Sequence, residues 1–266
     1  MKKNSQKFKI GILGLGMVGG ALQRYFEKKR IDVFKYDKGR NIGSVKEVNQ
    51  ADVIFICVPT PFVEGIGPDL SYVEDACNNV LGNKIIVIKS TILPGTTARL
   101  QKKYPQHKFL FNPEFLVEEK ADECMQNPER QIIGYTDLSR QTGEDILAIL
   151  PKAPYERIVR AIEAEMIKYF GNTFLSTKVI FSNQMYDLCK ALGIDYEIVR
   201  ECVAEDKRIT PSHMDIFHGG YRGYGGKCLP KDTKSLITFA DEHGVDLKLL
   251  KIVEDINSDL IKKHRQ

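Results

Sequence analysis

Short apolar runs and amphipathic stretches alternate through the first half of the chain. Phe8–Leu13 reads as a β-strand, and the stretch from Met17 to Lys29 that follows places its apolar residues at helical spacing. A second strand-like run, Ile31–Tyr36, ends at Asp37. Val53–Val58 (VIFICV) is continuously apolar, as a strand buried on both faces should be. Ile85–Ile88, Lys108–Phe111 and Gln131–Tyr135 are predicted as further strands, with helices over Tyr72–Val80, Thr96–Lys103 and Leu138–Leu150. Repeated strand–helix alternation implies right-handed crossovers, and so an α/β fold with a Rossmann-type doubly wound parallel sheet.

The pattern changes after Pro151 and Pro154. From Tyr155 to Leu192 no strand signal is visible, and Ile158, Ile162, Met166, Tyr169, Phe170 and Phe174 recur at helical spacing. This run predicts one long helix, or two broken near Gly171, stopped at Gly193. Residues 207–226, rich in Gly, His and aromatics, are expected to form a loop. Helices resume over Pro230–Glu242 and Leu247–Lys263. The division is placed at 154/155, between a sheet domain (1–154) and an all-helical domain (155–266).

Composition narrows the classes. With 266 residues, 42% of them hydrophobic, the chain has the material for a sizeable core. Its net charge is only +4, and the basic residues at its ends (Lys2, Lys3, Lys7, Lys262, Lys263, Arg265) read as solvated tails, so a nucleic-acid partner is not expected. No apolar run reaches the ~18 residues of a membrane helix, and the N-terminal run lacks a cleavage site, so neither a membrane partner nor a signal peptide is expected. The six cysteines are scattered. Reduced thiols in the cytoplasm, most of them core residues, are the natural reading, and no metal site is expected from these cysteines or the five histidines.

Four groups of residues carry chemistry. Gly14-Leu15-Gly16-Met17-Val18-Gly19 joins the first strand to the first helix, the arrangement that lets backbone approach a pyrophosphate at a helix N-terminus. Asp37, closing the next strand, is placed to accept from the adenosine ribose hydroxyls and to repel a 2′-phosphate, which favours NAD over NADP; Lys38 and Arg40 temper that preference. Cys228 lies in GGKCLPKD, where two glycines free the backbone and Pro230 suits the first turn of a helix. A helix N-terminus beside Lys227 and Lys231 favours the thiolate, with Asp232 one turn further on. A nucleophilic cysteine in an NAD enzyme suggests capture of an aldehyde as a thiohemiacetal.

Lys168 and Asn172 lie one turn apart, suited to polarising a hydroxyl or holding an oxyanion; a solvated polar stripe is the reading that spacing alone favours. Glu114, Glu118 and the Lys89-Ser90-Thr91 segment follow strands directly, on the rim where ligands of doubly wound sheets gather.

These segments together resemble the UDP-glucose/GDP-mannose dehydrogenase family. The matching pieces are GLGMVG, CVPTP (57–61), PDLSYVEDA (68–76), KSTILPGTT (89–97), NPEFLVEE (112–119), AEMIKYFGNTFLSTKVIFSN (164–183) and GYGGKCLPKDT (223–233). The resemblance implies NAD-dependent oxidation of the primary alcohol of a nucleotide sugar, most simply a UDP-sugar, to a carboxylate in two hydride transfers. Cys228 would be the nucleophile, and Lys168 and Asn172 the oxyanion holders, Lys168 also accepting the first proton. Asp232 and Glu114 would assist thioester hydrolysis, with Thr91 ordering the water. Cofactor contacts would come from Gly14, Gly16, Met17, Val18, Gly19, Asp37, Val58, Pro59, Thr60, Thr91, Glu118 and Lys231. Substrate contacts would come from Phe115, Leu116, Glu118, Lys168, Asn172, Arg208 and Gly225. The family also implies a homodimer through the helical domain.

Two departures matter. Family members usually carry a third, nucleotide-binding domain, so this chain reads as a short form. The segment between Arg208 and Cys228 is longer than usual, and Arg222 within it is a candidate phosphate or sugar contact. A β-hydroxyacid dehydrogenase shares a Lys-x-x-x-Asn helix and needs one hydride step, but not Cys228 in its GGKCLPKD setting. A third reading is a non-catalytic, truncated cofactor-binding subunit.

Overall fold

The computed structural model describes residues 8–264, so Lys2, Lys3, Lys7 and Arg265 lie outside the described residues. In chain order the elements begin with β1 (Ile10–Leu13), α1 (Met17–Lys28), β2 (Val33–Asp37), β3 (Ile42–Gly43), α2 (Val45–Val48) and β4 (Val53–Ile56). A short ribbon of β5 (Phe62–Val63) and β6 (Gly67–Pro68) precedes α3 (Ser71–Asn78), β7 (Ile85–Ile88), α4 (Thr96–Lys103) and β8 (Lys108–Phe111). Then come α5 (Ala121–Gln126), β9 (Arg130–Tyr135), α6 (Gly143–Ile149) and β10 (Tyr155–Arg160). The rest is helical: α7 (Ala161–Leu192), α8 (Tyr196–Ala204), α9 (Leu229–Glu242) and α10 (Lys248–His264). By contacts the chain divides into a sheet unit, residues 8–61 with Pro68–Lys168, and a helical unit, Phe62–Gly67 with residues 169–264.

The expected doubly wound sheet is present. Among the described residues it has eight strands in the order β10-β9-β8-β7-β4-β1-β2-β3. β1 pairs in parallel with β2 and with β4, so the winding reverses beside β1, and the carboxyl ends of β1 and β4 form the switch point where such sheets bind ligands. The apolar runs explain the layering. On one face Leu13, Ile54, Ile56, Ile86, Ile88, Phe109 and Phe111 pack with residues of α2 to α4 and with Ala164. On the other, Ile10, Ile12, Val53, Phe55, Val87 and Leu110 pack with Leu22 and Phe26 of α1, Met125 and Ile146.

The reading of 155–192 as strand-free needs correction. Tyr155–Arg160 is a strand, paired in parallel with β9, and the sheet unit therefore runs on to Lys168, past the 154/155 division. Its residues, YERIVR, carry three charges because the strand lies at the sheet's edge, where charged side chains are usual and mask the β pattern. α7 is a single unbroken helix through Gly171. In the helical unit, Val179, Ile180, Tyr224 and Val253 form one small core, and Cys189, Tyr196 and Ile216 another. α8 was not evident in the sequence; Asp195 starts it by accepting from Glu197 N–H, an N-cap.

The cysteines are less buried than expected: only Cys77 and Cys189 are core residues, Cys57, Cys124 and Cys228 are half-buried, and Cys202 is exposed. No helix of the described residues is long and apolar enough to cross a membrane, and no cluster of His, Cys, Asp or Glu among them could hold a metal.

Candidate active site

The glycine turn explains itself residue by residue. Gly14 has a φ of 87°, and a Cβ there would lie 2.7 Å from Cys57 O; a Cβ on Gly19 would lie 1.9 Å from Gly14 O. Both glycines are thus required by the strand–helix packing itself. Gly16 is different: nothing lies within 4 Å of where its Cβ would be. Its bareness leaves the α1 N-terminus uncovered, and no side chain caps that terminus. Asp37 ties the turn to β2, accepting from Leu15 N–H at 2.7 Å and from Arg40 N–H at 2.9 Å. A carboxylate offers about four acceptor positions, so two remain for hydroxyls. The turn therefore fits a pyrophosphate on Met17 and Val18 N–H and a ribose on Asp37.

The neighbouring strand ends form the rest of this rim. Ser90 Oγ donates to Val58 O at 2.7 Å, and Thr60 Oγ1 to Thr91 O at 2.8 Å, so the Val58-Pro59-Thr60 and Lys89–Thr91 segments are stitched together. Past β8, Glu114 is buried and pairs with buried Lys168, Nζ to Oε1 2.8 Å. Its other oxygen accepts from Leu116 N–H at 2.8 Å. Burial disfavours the Glu114 carboxylate, but the Lys168 ammonium, the Leu116 N–H and the Lys89 ammonium outweigh it and hold its pKa below the ordinary glutamate value. Lys168 is therefore not part of a solvated stripe. Phe115 stands by it, with the Arg130 guanidinium 3.9 Å from the ring centroid and Lys168 Nζ 5.8 Å away. Glu118 is exposed, in a single turn of 3-10 helix, Glu118–Lys120.

Sequence reasoning passed over three groups here. Lys89, noted only as a rim residue, is buried and donates to Asn112 Oδ1 at 2.6 Å. Asn112 in turn donates to Ile132 O at 2.8 Å. Glu165, wholly buried on α7, accepts from Gly95 N–H (2.6 Å), Thr97 N–H (2.8 Å) and Thr97 Oγ1 (2.5 Å), so it caps α4 in place of a local residue. Charged residues directly abutting an all-apolar strand, or set on a helix's apolar face, were the available signals.

The helical unit holds the cysteine. Cys228 is the N-cap residue of α9 and Pro230 lies in that helix's first turn, as expected. Asp232 N–H donates to Cys228 O at 2.9 Å, closing the first turn. The Asp232 side chain, 1% exposed, accepts from Asn172 Nδ2 and from Lys231 Nζ, both at 2.5 Å. Lys231 thus pairs with Asp232 while its side chain stays 18% exposed. Cys57 and Cys77 are no rivals as nucleophiles, since burial pushes each thiol up to about 12.

The long loop before Cys228 is shaped by its neighbours. A Cβ on Gly225 would lie 2.1 Å from Tyr221 Oη, so Gly225 makes room for that ring. Arg222 lies along α7, donating to Asn183 Oδ1 and O at 3.1 Å each, pairing with Asp187 at 2.8 Å and facing the Tyr186 ring. Arg208 is exposed and forks onto Asp206 two residues away.

Comparison with known proteins places the chain in a family. Residues 41–150 match the NAD binding domain of the UDP-glucose/GDP-mannose dehydrogenase family and residues 162–259 its central domain, together well over half the chain. The glycine turn and Asp37 precede the first match, so they rest on their geometry. The UDP-glucose 6-dehydrogenase of Pseudomonas aeruginosa is 38% identical over 229 residues, covering 78% of this chain and 49% of that protein. That of Bacillus subtilis is 34% identical over 226 residues, covering 80% and 50%. The chain thus spans about half the length of the curated relatives it matches. Among solved structures, a UDP-glucose dehydrogenase from Pyrobaculum islandicum superposes with a TM-score of 0.85 at 30% identity, covering 97% of this chain and 69% of that one. A GDP-mannose dehydrogenase from Pseudomonas aeruginosa gives 0.68 at 26% identity, covering 96% and 69%. The chain belongs to the UDP-glucose/GDP-mannose dehydrogenase family.

Proposed function

We propose that the chain oxidises the primary alcohol of a nucleotide sugar, a UDP-sugar first among them, to the carboxylate with two equivalents of NAD. The observation that carries this reading is Cys228 at the N-cap of α9, with buried Asp232 one turn on and bonded to Asn172. NAD, when bound at the glycine turn, supplies the hydride acceptor. Lys168, as the neutral amine, takes the hydroxyl proton while the first hydride leaves the carbon. Cys228 sulfur then bonds to the aldehyde carbon, giving a thiohemiacetal whose oxygen is held by Asn172 and Lys168. Loss of a second hydride from that carbon leaves the thioester. Water, oriented by Thr91 and deprotonated with help from Asp232 and Glu114, adds to it; the C–S bond breaks and the Cys228 thiolate departs. One water and two NAD are consumed per alcohol, and two NADH and three protons are released.

The remaining assignments follow the same reading: Val58, Pro59, Thr60, Glu118 and Lys231 toward the cofactor, and Phe115, Leu116, Glu118, Arg208, Arg222 and Gly225 toward the substrate. The partner is a second copy of the chain. Phe170, Phe174, Phe181, Met185, Leu188 and Leu192 are all exposed and lie along one face of α7, an apolar seam that a second α7 would cover.

The test is NADH formation with a panel of UDP-, GDP- and ADP-sugars. Two NADH per sugar, abolished by Cys228→Ser, is the expected result. One NADH from a small hydroxyacid selects a β-hydroxyacid dehydrogenase instead, and no turnover of any of them a binding subunit.

A further inference from the structure

The sheet unit buries two lysines around one carboxylate. Lys89 and Lys168 are each 4% exposed and Glu114 7%. Glu114 is bonded to Lys168, whereas Lys89 Nζ is held by a neutral amide, Asn112 Oδ1, at 2.6 Å. That amide is fixed in turn, donating to Ile132 O at 2.8 Å and Gln131 Oε1 at 3.2 Å, while Gln131 donates to Pro151 O at 3.2 Å. A cavity of about 40 Å³ is lined by both Lys89 and Glu114, together with Phe115, Cys124, Arg130 and Gln131. It has room for a bridging water.

One buried carboxylate balances one ammonium, and a second uncompensated buried charge is costly. We propose that Lys89 is a positioning residue that sets the charge state of the Lys168–Glu114 pair, its ammonium serving as the counter-charge to Glu114 whenever Lys168 is the neutral amine. The inference rests on the dehydrogenase reading for its catalytic consequence, since only a neutral Lys168 takes a proton from a hydroxyl. The surroundings agree. Burial above all brings Lys89 down to about 8; the Lys168 ammonium adds the smallest push in the same direction, and Glu114 pulls the other way. The Cys57 thiol stays protonated, so Glu114 is the anion that Lys89 faces. The other titratable groups at the cavity are Cys124 of α5 and Arg130 of β9, the latter stacked on Phe115.

The test reads Lys89 directly, in lysine-13C-labelled protein, its Cε signal assigned by loss in Lys89→Met. A midpoint near 8 that moves up in Lys168→Met is expected. A wild-type midpoint near ~10.4, the free-lysine value, or no response to Lys168→Met, overturns the proposal. In NADH assays Lys89→Met leaves Lys168 as the sole counter-ion of Glu114, so the acid limb of the pH–rate profile moves to higher pH, costing up to about tenfold in rate at a fixed pH on that limb for each unit moved. A uniform loss at all pH values without movement of the limb marks a merely structural lysine and also overturns it. The titration needs no turnover, so failure to oxidise any sugar leaves it standing.

Discussion

Glu114 in the sheet unit and Asp232 in the helical unit are both buried carboxylates with a partner on α7, yet they are held in opposite ways. Glu114 meets a lysine 54 positions away in the chain and has a second buried lysine at its back. Asp232 takes its lysine from the adjacent position, and that lysine side chain is 18% exposed. The first arrangement exists only in the folded sheet unit. In the second the ion pair is assembled locally by the start of α9, only the Asn172 amide coming from a distance, and its cation keeps a foot in water. Removing the anion should therefore have unequal consequences. Glu114→Gln strands two buried ammonium groups and is expected to cost about 3–5 kcal/mol, the range for breaking a buried pair from one side. Asp232→Asn leaves Lys231 free to reach solvent and is expected to cost about 1–2 kcal/mol. Urea unfolding of the two variants decides it, and equal losses would break the comparison.

Glu165 sharpens the same contrast from a third position. It lies one turn before Lys168 on α7, but its partners, Gly95 N–H and Thr97, are neutral. Burial prevails over those hydrogen bonds and pushes Glu165 up to about 7. Its folded pKa is thus raised above the unfolded value, so its stabilising contribution is full at low pH and is lost as pH rises from about 4.3 through about 7. Glu114, with its pKa depressed, behaves in reverse and loses its contribution as pH falls. The stability of wild type relative to Glu165→Gln should accordingly decline by roughly 3 kcal/mol between pH 4.5 and 7.5. A rise over that interval would show that the α4 cap, rather than desolvation, governs this residue.

These three acids also show what the chain disclosed in advance. The sheet was legible because VIFICV and its counterparts are buried on both faces and carry no competing signal. β10 was not, since YERIVR is an edge strand whose charges imitate a helix surface. At the candidate site, Cys228 and Asp232 stood out by type and spacing and Glu114 by its place after a strand, whereas Lys168 and Asn172 were singled out by the family resemblance, since spacing alone favoured a solvated stripe. The pairing of Glu114 with Lys168 did not stand out, because an ion pair across 54 residues depends on where β8 ends and where α7 begins. Lys89 and Glu165 passed as ordinary charged residues. What distinguishes them is burial, which is a property of the packed unit and has no local pattern.

The loop before Cys228 offers the smallest and most discriminating test of local against tertiary holding. Gly223 and Gly225 both lack room for a Cβ, for different reasons. Gly223 has a φ of 85°, where an L side chain is strained, and its Cβ would lie 2.5 Å from Asn257 Oδ1. Asn257 is buried on α10 and grips the loop at both ends of Tyr224, accepting from its N–H at 2.7 Å and donating to its carbonyl at 3.0 Å. It has no free direction to yield. Gly225 carries no such backbone strain, and its obstacle is a side-chain ring, that of Tyr221 four positions back, rather than a clamped backbone. Gly223→Ala is therefore expected to cost about 2 kcal/mol, from left-handed strain and a broken clamp. Gly225→Ala should cost less than about 1 kcal/mol while turning the Tyr221 ring, a change visible in the tyrosine region of the near-ultraviolet circular dichroism. If the two alanines cost the same, the loop is set by its own residues, and the α10 clamp on Tyr224 is incidental to the shape that presents Cys228.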